Sequence, residues 1–254
     1  MDKNRNRQYP YDSIYLKINI ELTPMDTYIR TKQLNMDLKK LEFEVRQIAY
    51  TAIHKYVNQL PSKEIDWHGS ITAMLDPWYN IFEHDTPEVQ RLLNEVRTMF
   101  LENFKVVEPL GIHCWTNITR KGNHLKWHGH WPPEDRAWHG YFAVKAEPST
   151  TTYNIPGETD LVVVHNKNNQ LLISPSDGDR HCVSPWTEEW ERISVAFDIV
   201  PLSEIKNSKV FSPFLSPNSN EERGTGAHGS PVPDSRDKCV QEGSKEVPEK
   251  VTHA

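Results

Sequence analysis

Hydrophobic and polar positions follow two different periods along the chain, and the change falls near residue 109. Over residues 38–60 apolar side chains recur every three to four positions, which is the spacing of one buried helix face. The segment Thr86-Pro87-Glu88 is typical of a helix start, with Thr86 as N-cap, and the same period continues to about Phe104. The sequence therefore predicts two long amphipathic helices. An alternating stretch at residues 14–22 predicts a strand at the edge of the fold.

Beyond residue 109 the apolar residues form short runs separated by turn signals such as Pro156-Gly157. The predicted strands are 112–118, 125–131, 139–146, 150–154, 160–165, 170–174, 180–183 and 192–200. About eight strands at this spacing indicate a sandwich or jelly roll, a class that includes the cupins. We expect a mainly β fold with supporting α-helices. Its core would be a double-stranded β-helix (jelly roll, cupin-like) over residues 109–201. The helices of residues 9–108 would pack on one face, and the polar residues 216–254 would form a disordered tail.

Composition limits the classes of function and location. The 254 residues carry a net charge of −6, which gives no reason to expect a nucleic-acid or anionic-membrane partner. The sequence has no apolar run long enough to cross a bilayer, and its polar N-terminus lacks a signal-peptide core. The three cysteines, at 114, 182 and 239, form neither a disulfide framework nor a CxxC pattern. We therefore expect a cytoplasmic, reducing compartment, which also suits a ferrous ion.

Candidate chemistry begins at Trp127-His128-Gly129-His130-Trp131. In an extended chain His128 and His130 project from the same face, because strand side chains alternate, and two such imidazoles can bind one metal ion. His181, about fifty residues later, is a third candidate ligand. Any single histidine is more often an ordinary surface or core residue, but order, strand context and spacing favour a metal site here. Three other histidines are interpreted as ordinary residues: His113, His139 and His165. Of these, His139 lies close enough in sequence to line the same cavity.

A second candidate site follows at Arg192-Ile193-Ser194, the start of a strand rich in β-branched and aromatic residues. Arg192 and Ser194 would share one face of that strand. A buried arginine inside a barrel needs an anionic partner, and a carboxylate suits its planar guanidinium. The alternative is an exposed Arg192 that pairs with a glutamate of residues 188–191.

The pattern as a whole resembles the 2-oxoglutarate/Fe(II)-dependent oxygenases of the kind found in marine T4-like phages, distant relatives of prolyl hydroxylases. The resemblance covers roughly residues 109–201. Its motifs are Trp115-x-Asn117, Gly122, His128-x-His130, His139-Gly140-Tyr141, Thr150-Thr151-Thr152-Tyr153, Asp177-x-Asp179-x-His181 and Arg192-Ile193-Ser194-Val195-Ala196-Phe197-Asp198.

This resemblance implies a set of roles. His128, six residues after Gly122, and His181 would be iron ligands, while Arg192 with Ser194 would hold the C5 carboxylate of 2-oxoglutarate. Asn117 and Tyr141 are further candidates for the co-substrate pocket, as is Tyr153, although each could equally be an ordinary core residue. The cofactors implied are Fe(II), 2-oxoglutarate as co-substrate, and O2.

Position 130 departs from the usual His-x-Asp/Glu pattern, in which a carboxylate completes the ligand set. Three outcomes are open. His130 is itself a ligand, it faces away and leaves two protein ligands, or Glu134 or Asp135 reaches in from the following loop. Strand geometry favours His130, so the predicted metal ligands are His128, His130 and His181.

The implied reaction is a hydroxylation coupled to conversion of 2-oxoglutarate into succinate and CO2. Two other classes remain: a cupin-like metal protein that does not use 2-oxoglutarate, and a non-enzymatic β-sandwich interaction module. The sequence does not name the primary substrate, and nothing in its first half indicates a nucleic-acid surface or a peptide groove.

Overall fold

A computed structural model describes residues 28–60, 69–205 and 210–217. The predicted strand at 14–22 and the predicted tail from residue 218 onward lie outside these residues. The helices are α1 Leu38–Tyr56, α2 Ile71–Met74 and α3 Pro87–Asn103. Short 3-10 turns lie at Val57–Gln59, Asp76–Trp78, Ile81–Glu83 and Pro133–Asp135. The strands are β1 Arg30–Gln33, β2 Leu110–Thr119, β3 Leu125–His128, β4 Trp138–Lys145, β5 Thr150–Asn154, β6 Val162–His165, β7 Gln170–Pro175, β8 Arg180–Val183, β9 Arg192–Pro201 and β10 Ser212–Leu215.

The strands form two antiparallel sheets. The larger has the order β1-β7-β4-β9-β2-β10 and the smaller has the order β3-β8-β5-β6. Along the chain the strands from β2 to β9 pass repeatedly between the two sheets, which is the topology of a double-stranded β-helix. The central strands β2 and β9 are buried along almost their whole length, because the smaller sheet covers one face and the helices lie against the other. The predicted fold class is confirmed.

The helices pack on the larger sheet, where α1 contacts β2 and β4 and α2 contacts β2. The two long helices also contact each other through an unexpected cap. Thr86 occupies the N-cap position of α3, as predicted, but its side chain makes no capping bond. The side chain of Glu44 in α1 caps the helix instead. Its Oε2 accepts hydrogen bonds from the backbone N–H of Glu88 at 3.0 Å and of Val89 at 3.1 Å. A carboxylate at this end also suits the helix dipole, so α1 and α3 form one supporting layer.

Most predicted elements have their expected bounds within a few residues, but the strand predicted at 125–131 is wrong beyond His128. The β3–β8 pairing shifts register between Leu125 and His128 and then stops. Pro132 and Pro133 follow closely, and proline cannot donate to a ladder. The consequence is that His130 lies in a loop rather than on a strand. Strands β1 and β10, and the short helix α2, were not predicted.

The described helices include none that is both long and apolar enough to cross a membrane.

Candidate functional site

A cavity of about 190 Å³ opens between the two sheets and reaches the 3-10 turn that contains Asp76. Its wall is formed by residues from β2, β3, β4, β5, β8 and β9 together with the loop after β3. The wall includes every site residue predicted from the sequence: Asn117, His128, His130, Tyr141, His181, Arg192 and Ser194.

One end of the cavity holds the three predicted metal ligands. His128 and His181 lie opposite each other in the β3–β8 pairing, with ring centroids 4.3 Å apart. The His130 ring stacks on His181 at 5.2 Å, although it comes from the loop. Potential ligand atoms of the three residues lie within 4.8 Å of one another. The structure therefore brings the three imidazoles together by a route other than a common strand face.

The loop geometry that turns His130 inward depends on the glycine before it. A Cβ at Gly129 would stand 3.0 Å from the carbonyl oxygen of Asp179, closer than side chains tolerate without a shift. The absence of a side chain at this position allows the loop to pass against the strand that carries His181.

Two of these rings have an oxygen atom within hydrogen-bonding distance of Nδ1. His128 Nδ1 donates to the carbonyl oxygen of Lys126 at 2.7 Å, which leaves the lone pair on Nε2. His130 Nδ1 lies 2.7 Å from Asp198 Oδ1, while Asp198 Oδ2 accepts from the indole N–H of Trp131 at 2.9 Å. Burial alone would lower the pKa of His130, but the charge and contact of Asp198 outweigh it and raise that pKa above its usual value. Metal-binding histidines commonly have such an oxygen acceptor behind them.

A second group of ligand atoms overlaps the first and was not predicted. It consists of His139 on β4, Asp179 just before β8, and His181. His139 is 2% exposed and Asp179 3% exposed. His139 Nε2 lies 3.5 Å and His181 Nδ1 lies 3.9 Å from Asp179 Oδ2. The signal in the sequence was the Asp179-x-His181 spacing, which repeats the two-residue interval of His128-x-His130.

Within the described part of the chain, His139 Nε2 and Asp179 Oδ2 make no hydrogen bond. On its other side, His139 Nδ1 lies 3.0 Å from the hydroxyl of Ser176. Burial raises the pKa of Asp179 to about 6, and burial together with the charge of His130 lowers the pKa of His139 well below its usual value. Buried polar atoms without partners are costly, and an ion is one of the common explanations for them.

The opposite end of the cavity holds a buried arginine. Arg192 is 2% exposed and lies at the start of β9. Its Nε donates to Ser149 Oγ at 3.0 Å and its Nη1 donates to Ser194 Oγ at 3.3 Å. None of the described acidic residues pairs with it, since Glu191 pairs with Arg46 and Arg120 on the surface. Burial lowers the pKa of Arg192 to about 10, which still leaves it charged at neutral pH.

Neutral side chains form a continuous network behind this arginine. Ser149 Oγ also accepts from Asn166 Nδ2 at 2.9 Å and donates to the carbonyl oxygen of Ala146 at 2.6 Å. Asn166 Oδ1 accepts from the hydroxyl of Tyr141 at 2.5 Å and from that of Thr151 at 3.1 Å. The guanidinium is therefore held in place by uncharged groups, and none of the described carboxylates neutralises its charge.

The remaining candidates lie apart from the two clusters. His113 is buried, but its Nε2 lies 3.0 Å from the carbonyl oxygen of Asp76, and His165 is exposed on β6. Glu134 is exposed, and neither it nor Asp135 lines the cavity. Among the described residues, the carboxylates on the cavity wall or against the histidines are thus Asp76, Asp179 and Asp198. Burial, and then the charge of Asp198, raises the pKa of Asp76 to about 7.

The donor atoms at the histidine end suit a divalent ion of the first transition row. Imidazole nitrogen and carboxylate oxygen are the ligands of non-haem iron sites, and two such buried atoms, His139 Nε2 and Asp179 Oδ2, make no hydrogen bond to any described residue. The residues at this end of the cavity therefore suit a metal ion both in the kind of donor atom and in their spacing.

Neither a protein-family model nor a curated protein matches this sequence. Solved structures do resemble the fold. An oxidoreductase of the 2OG-Fe(II) oxygenase family from Burkholderia pseudomallei is 15% identical, with a TM-score of 0.39 over 46% of this chain and 60% of that one. A prolyl-4-hydroxylase from Pseudomonas putida is 13% identical, with a TM-score of 0.46 over 69% of this chain and 95% of that one. The viral collagen prolyl hydroxylase of Paramecium bursaria Chlorella virus-1 is 13% identical, with a TM-score of 0.47 over 69% and 97%.

This chain thus spans less than two thirds of the Burkholderia protein. At these identities and TM-scores the similarities assign neither a family nor an activity to it.

Proposed function

We propose that the protein is an Fe(II)- and 2-oxoglutarate-dependent dioxygenase. The observation that carries this proposal is the arrangement of the cavity. A buried, charged arginine that pairs with none of the described acidic residues lines the same cavity as a cluster of imidazoles, of which His139 and His181 are buried. A dicarboxylate with a metal-chelating keto acid at one end matches both ends at once.

Arg192 and Ser194 would bind the C5 carboxylate of the co-substrate. A guanidinium offers two parallel N–H groups to a carboxylate, and Arg192 is held by Ser149 from behind. Asn117 lies opposite Ser194 in the β2–β9 pairing and on the cavity wall, so it would contact the same molecule. Tyr141 donates to Asn166, so its role would be to fix the network rather than to donate to the carboxylate.

The histidine cluster would hold the iron, and His181 belongs to both candidate ligand sets: His128, His130 and His181, or His139, Asp179 and His181. Either set would supply three protein ligands and leave open positions on the ion for other molecules. When bound, iron would activate O2, which is the oxidant: 2-oxoglutarate would supply two electrons as it becomes succinate and CO2, one oxygen atom of O2 would enter succinate, and the other would enter the substrate. The buried walls around Arg192 and His139 would keep water away from this reaction.

Hydroxylation of a C–H bond is the reaction type we propose, on the basis of the sequence resemblance. The same resemblance suggests a viral source and action in the host cytoplasm. The exposed Trp127, which precedes the cavity-lining His128 and is 39% exposed, would contact the primary substrate.

Anaerobic addition of Fe(II) and then 2-oxoglutarate to the apo-protein tests this function. We expect a metal-to-ligand charge-transfer band that requires both additions, together with succinate release once O2 is admitted. A matched control is Arg180→Met, which removes an exposed arginine next to His181 and should keep the band. If wild-type protein with one bound Fe(II) gives no band, the oxygenase proposal is wrong.

The two alternative classes give different results in the same experiment. A cupin-like metal protein would bind the ion but would not respond to 2-oxoglutarate. An interaction module would bind no stoichiometric metal.

A further inference from the structure

We propose that Asp179 supplies the carboxylate ligand that the His-x-His motif lacks, so that the metal is held by His139, Asp179 and His181. This inference rests on the proposed iron site and decides between its two ligand sets.

The distances suit one ion at the centre of this group. A divalent metal stands about 2.1 Å from each nitrogen or oxygen ligand, so two ligands lie about 3.0 Å apart at right angles and about 4.2 Å apart when opposite. Asp179 Oδ2 lies 3.5 Å from His139 Nε2 and 3.9 Å from His181 Nδ1. Both values fall in the metal range, and both exceed the length of an ordinary hydrogen bond.

The state of these atoms points the same way. Asp179 and His139 are almost fully buried, yet Asp179 Oδ2 and His139 Nε2 have no hydrogen-bond partner among the described residues. The Nδ1 of His139 faces the Ser176 hydroxyl, which fixes the ring with Nε2 toward Asp179. A carboxylate oxygen and an imidazole nitrogen that face each other without a bond are stabilised when a cation lies between them.

Asp198, the other buried carboxylate near the histidines, is already engaged. One of its oxygens lies 2.7 Å from His130 Nδ1 and the other accepts from Trp131. Asp198 Oδ1 is likewise without a hydrogen bond among the described residues, but at 2.7 Å it lies too close to His130 Nδ1 for one ion to bind both atoms, whereas the 3.5 Å and 3.9 Å separations around Asp179 Oδ2 leave that room.

Charge gives an independent reason. Three neutral imidazoles would leave a divalent ion without a coordinating anion, since Asp198 stands behind His130 rather than at the ion, and buried net charge is costly. Asp179 halves that charge before any co-substrate binds. The ligand set then consists of two histidines and one carboxylate, which is the composition of ferrous oxygenase sites, with the aspartate placed before the shared histidine rather than after the first one.

The test measures Co(II) binding to the full chain by its visible spectrum, without any turnover. In Asp179→Asn and in His139→Gln we expect Co(II) affinity to fall more than about 100-fold, beyond the roughly 10- to 100-fold typical of residues that only orient a ligand. His128→Gln and His130→Gln should lower Co(II) affinity by no more than about 100-fold by the same criterion. Asp177→Asn is the matched control, because Asp177 is exposed and two residues from Asp179. The use of two variants from different strands guards against a folding defect in one of them.

A second readout counts the histidine ligands directly. In Co(II)-loaded wild type, paramagnetically shifted imidazole N–H protons should number two for this ligand set and three for His128, His130 and His181. Three such protons, or a loss of less than about 100-fold in Asp179→Asn, would overturn the inference while leaving the oxygenase proposal intact.

The same measurements also show when the oxygenase proposal fails and the ligand assignment does not. If Co(II) binding depends on Asp179 but 2-oxoglutarate leaves the Co(II) spectrum unchanged, the ligand assignment stands and the oxygenase proposal fails. If wild type binds no Co(II), both are wrong.

Discussion

The two ends of the cavity have opposite charge deficits, meaning that each holds a buried charged group that no lysine, arginine, aspartate or glutamate among the described residues neutralises. At one end Arg192 is charged, buried and surrounded by neutral hydroxyl and amide groups. At the other end Asp179 is buried beside imidazoles, and no lysine or arginine among the described residues pairs with it. Among the described residues, one end thus has no carboxylate paired with its arginine, and the other has no lysine or arginine paired with its aspartate.

Under the proposed function, this difference would allow one small cavity to select two partners in a defined orientation. A carboxylate would be stabilised at Arg192 and a metal ion at the histidines, and exchanging them would place like charges together. The hydrogen bonds also differ. Arg192 Nε and Nη1 have hydrogen-bond partners without a ligand, whereas Asp179 Oδ2 and His139 Nε2 have none among the described residues and would gain one if an ion bound between them.

Neutralising Arg192 should have the largest effect, because it removes the buried positive charge that distinguishes this end of the cavity. We expect Arg192→Met to weaken 2-oxoglutarate binding by about 2–5 kcal/mol, roughly 30-fold to several thousand-fold, because a buried carboxylate would lose its charged partner. Anaerobic titration of the charge-transfer band measures the Kd. Arg192→Lys keeps the charge but loses the paired N–H geometry, so its Kd should lie between the two.

The same variant makes an opposite prediction for the apo-protein. Methionine removes an uncompensated buried charge, so the free energy of unfolding without ligand should not fall and should rise by about 1 kcal/mol or more. A clearly destabilised apo-Arg192→Met protein would mean that Arg192 has an anionic partner already, and that this end has no deficit.

The pH dependence of the free energy of unfolding tests the other end of the cavity, where Asp179 lies. The pKa of Asp179 is about 6 in the folded protein against an ordinary 3.8. Protonation therefore favours the folded apo-protein. This contribution is complete below a pH of about 4 and is lost as the pH rises through about 6, for a total of up to about 3 kcal/mol.

Asp179→Asn lacks this loss, so in the presence of a chelator it should be more stable than wild type at pH 7.5, by about 1–3 kcal/mol, and similar to it near pH 4. Urea unfolding at the two pH values measures the difference, with Asp177→Asn as control. Addition of Co(II) at pH 7.5 should reverse the order, because the ion stabilises only the protein that binds it. An Asp179→Asn protein that is less stable than wild type at pH 7.5 without metal would contradict the deficit at this end.

The sequence predicted the arginine end better than the histidine end, for a physical reason. Residues 192–200 are one uninterrupted strand, so alternation places Arg192 and Ser194 correctly. The loop after His128 breaks that rule, and the convergence of His130 on His181 depends on Gly129 and on a register shift that periodicity does not show.

Tertiary contacts account for the residues that the sequence did not single out. His139 comes from the larger sheet and Asp179 from the turn before β8, and nothing in their local pattern shows that they meet. Ser149 and Asn166 likewise reach Arg192 from separate strands and turns. Fold class and strand positions follow from local alternation, whereas the contacts that complete a site follow from which strands become neighbours.

The smallest expected effect concerns the support of the arginine rather than its charge. In Ser149→Ala the guanidinium Nε and Asn166 Nδ2 both lose their acceptor, while the charge of Arg192 and the histidine cluster are unchanged. We expect the Kd for 2-oxoglutarate to rise about tenfold, since a buried donor left without a partner costs about 1–3 kcal/mol and part of that cost also falls on the unliganded state. Co(II) affinity should change by less than about twofold, because Ser149 contacts none of the proposed metal ligands. Parallel titrations of the same variant with Co(II) and with 2-oxoglutarate measure both values. A loss of Co(II) affinity equal to the loss of 2-oxoglutarate affinity would show that the two ends of the cavity are not independent, and that the charge deficits belong to one coupled site.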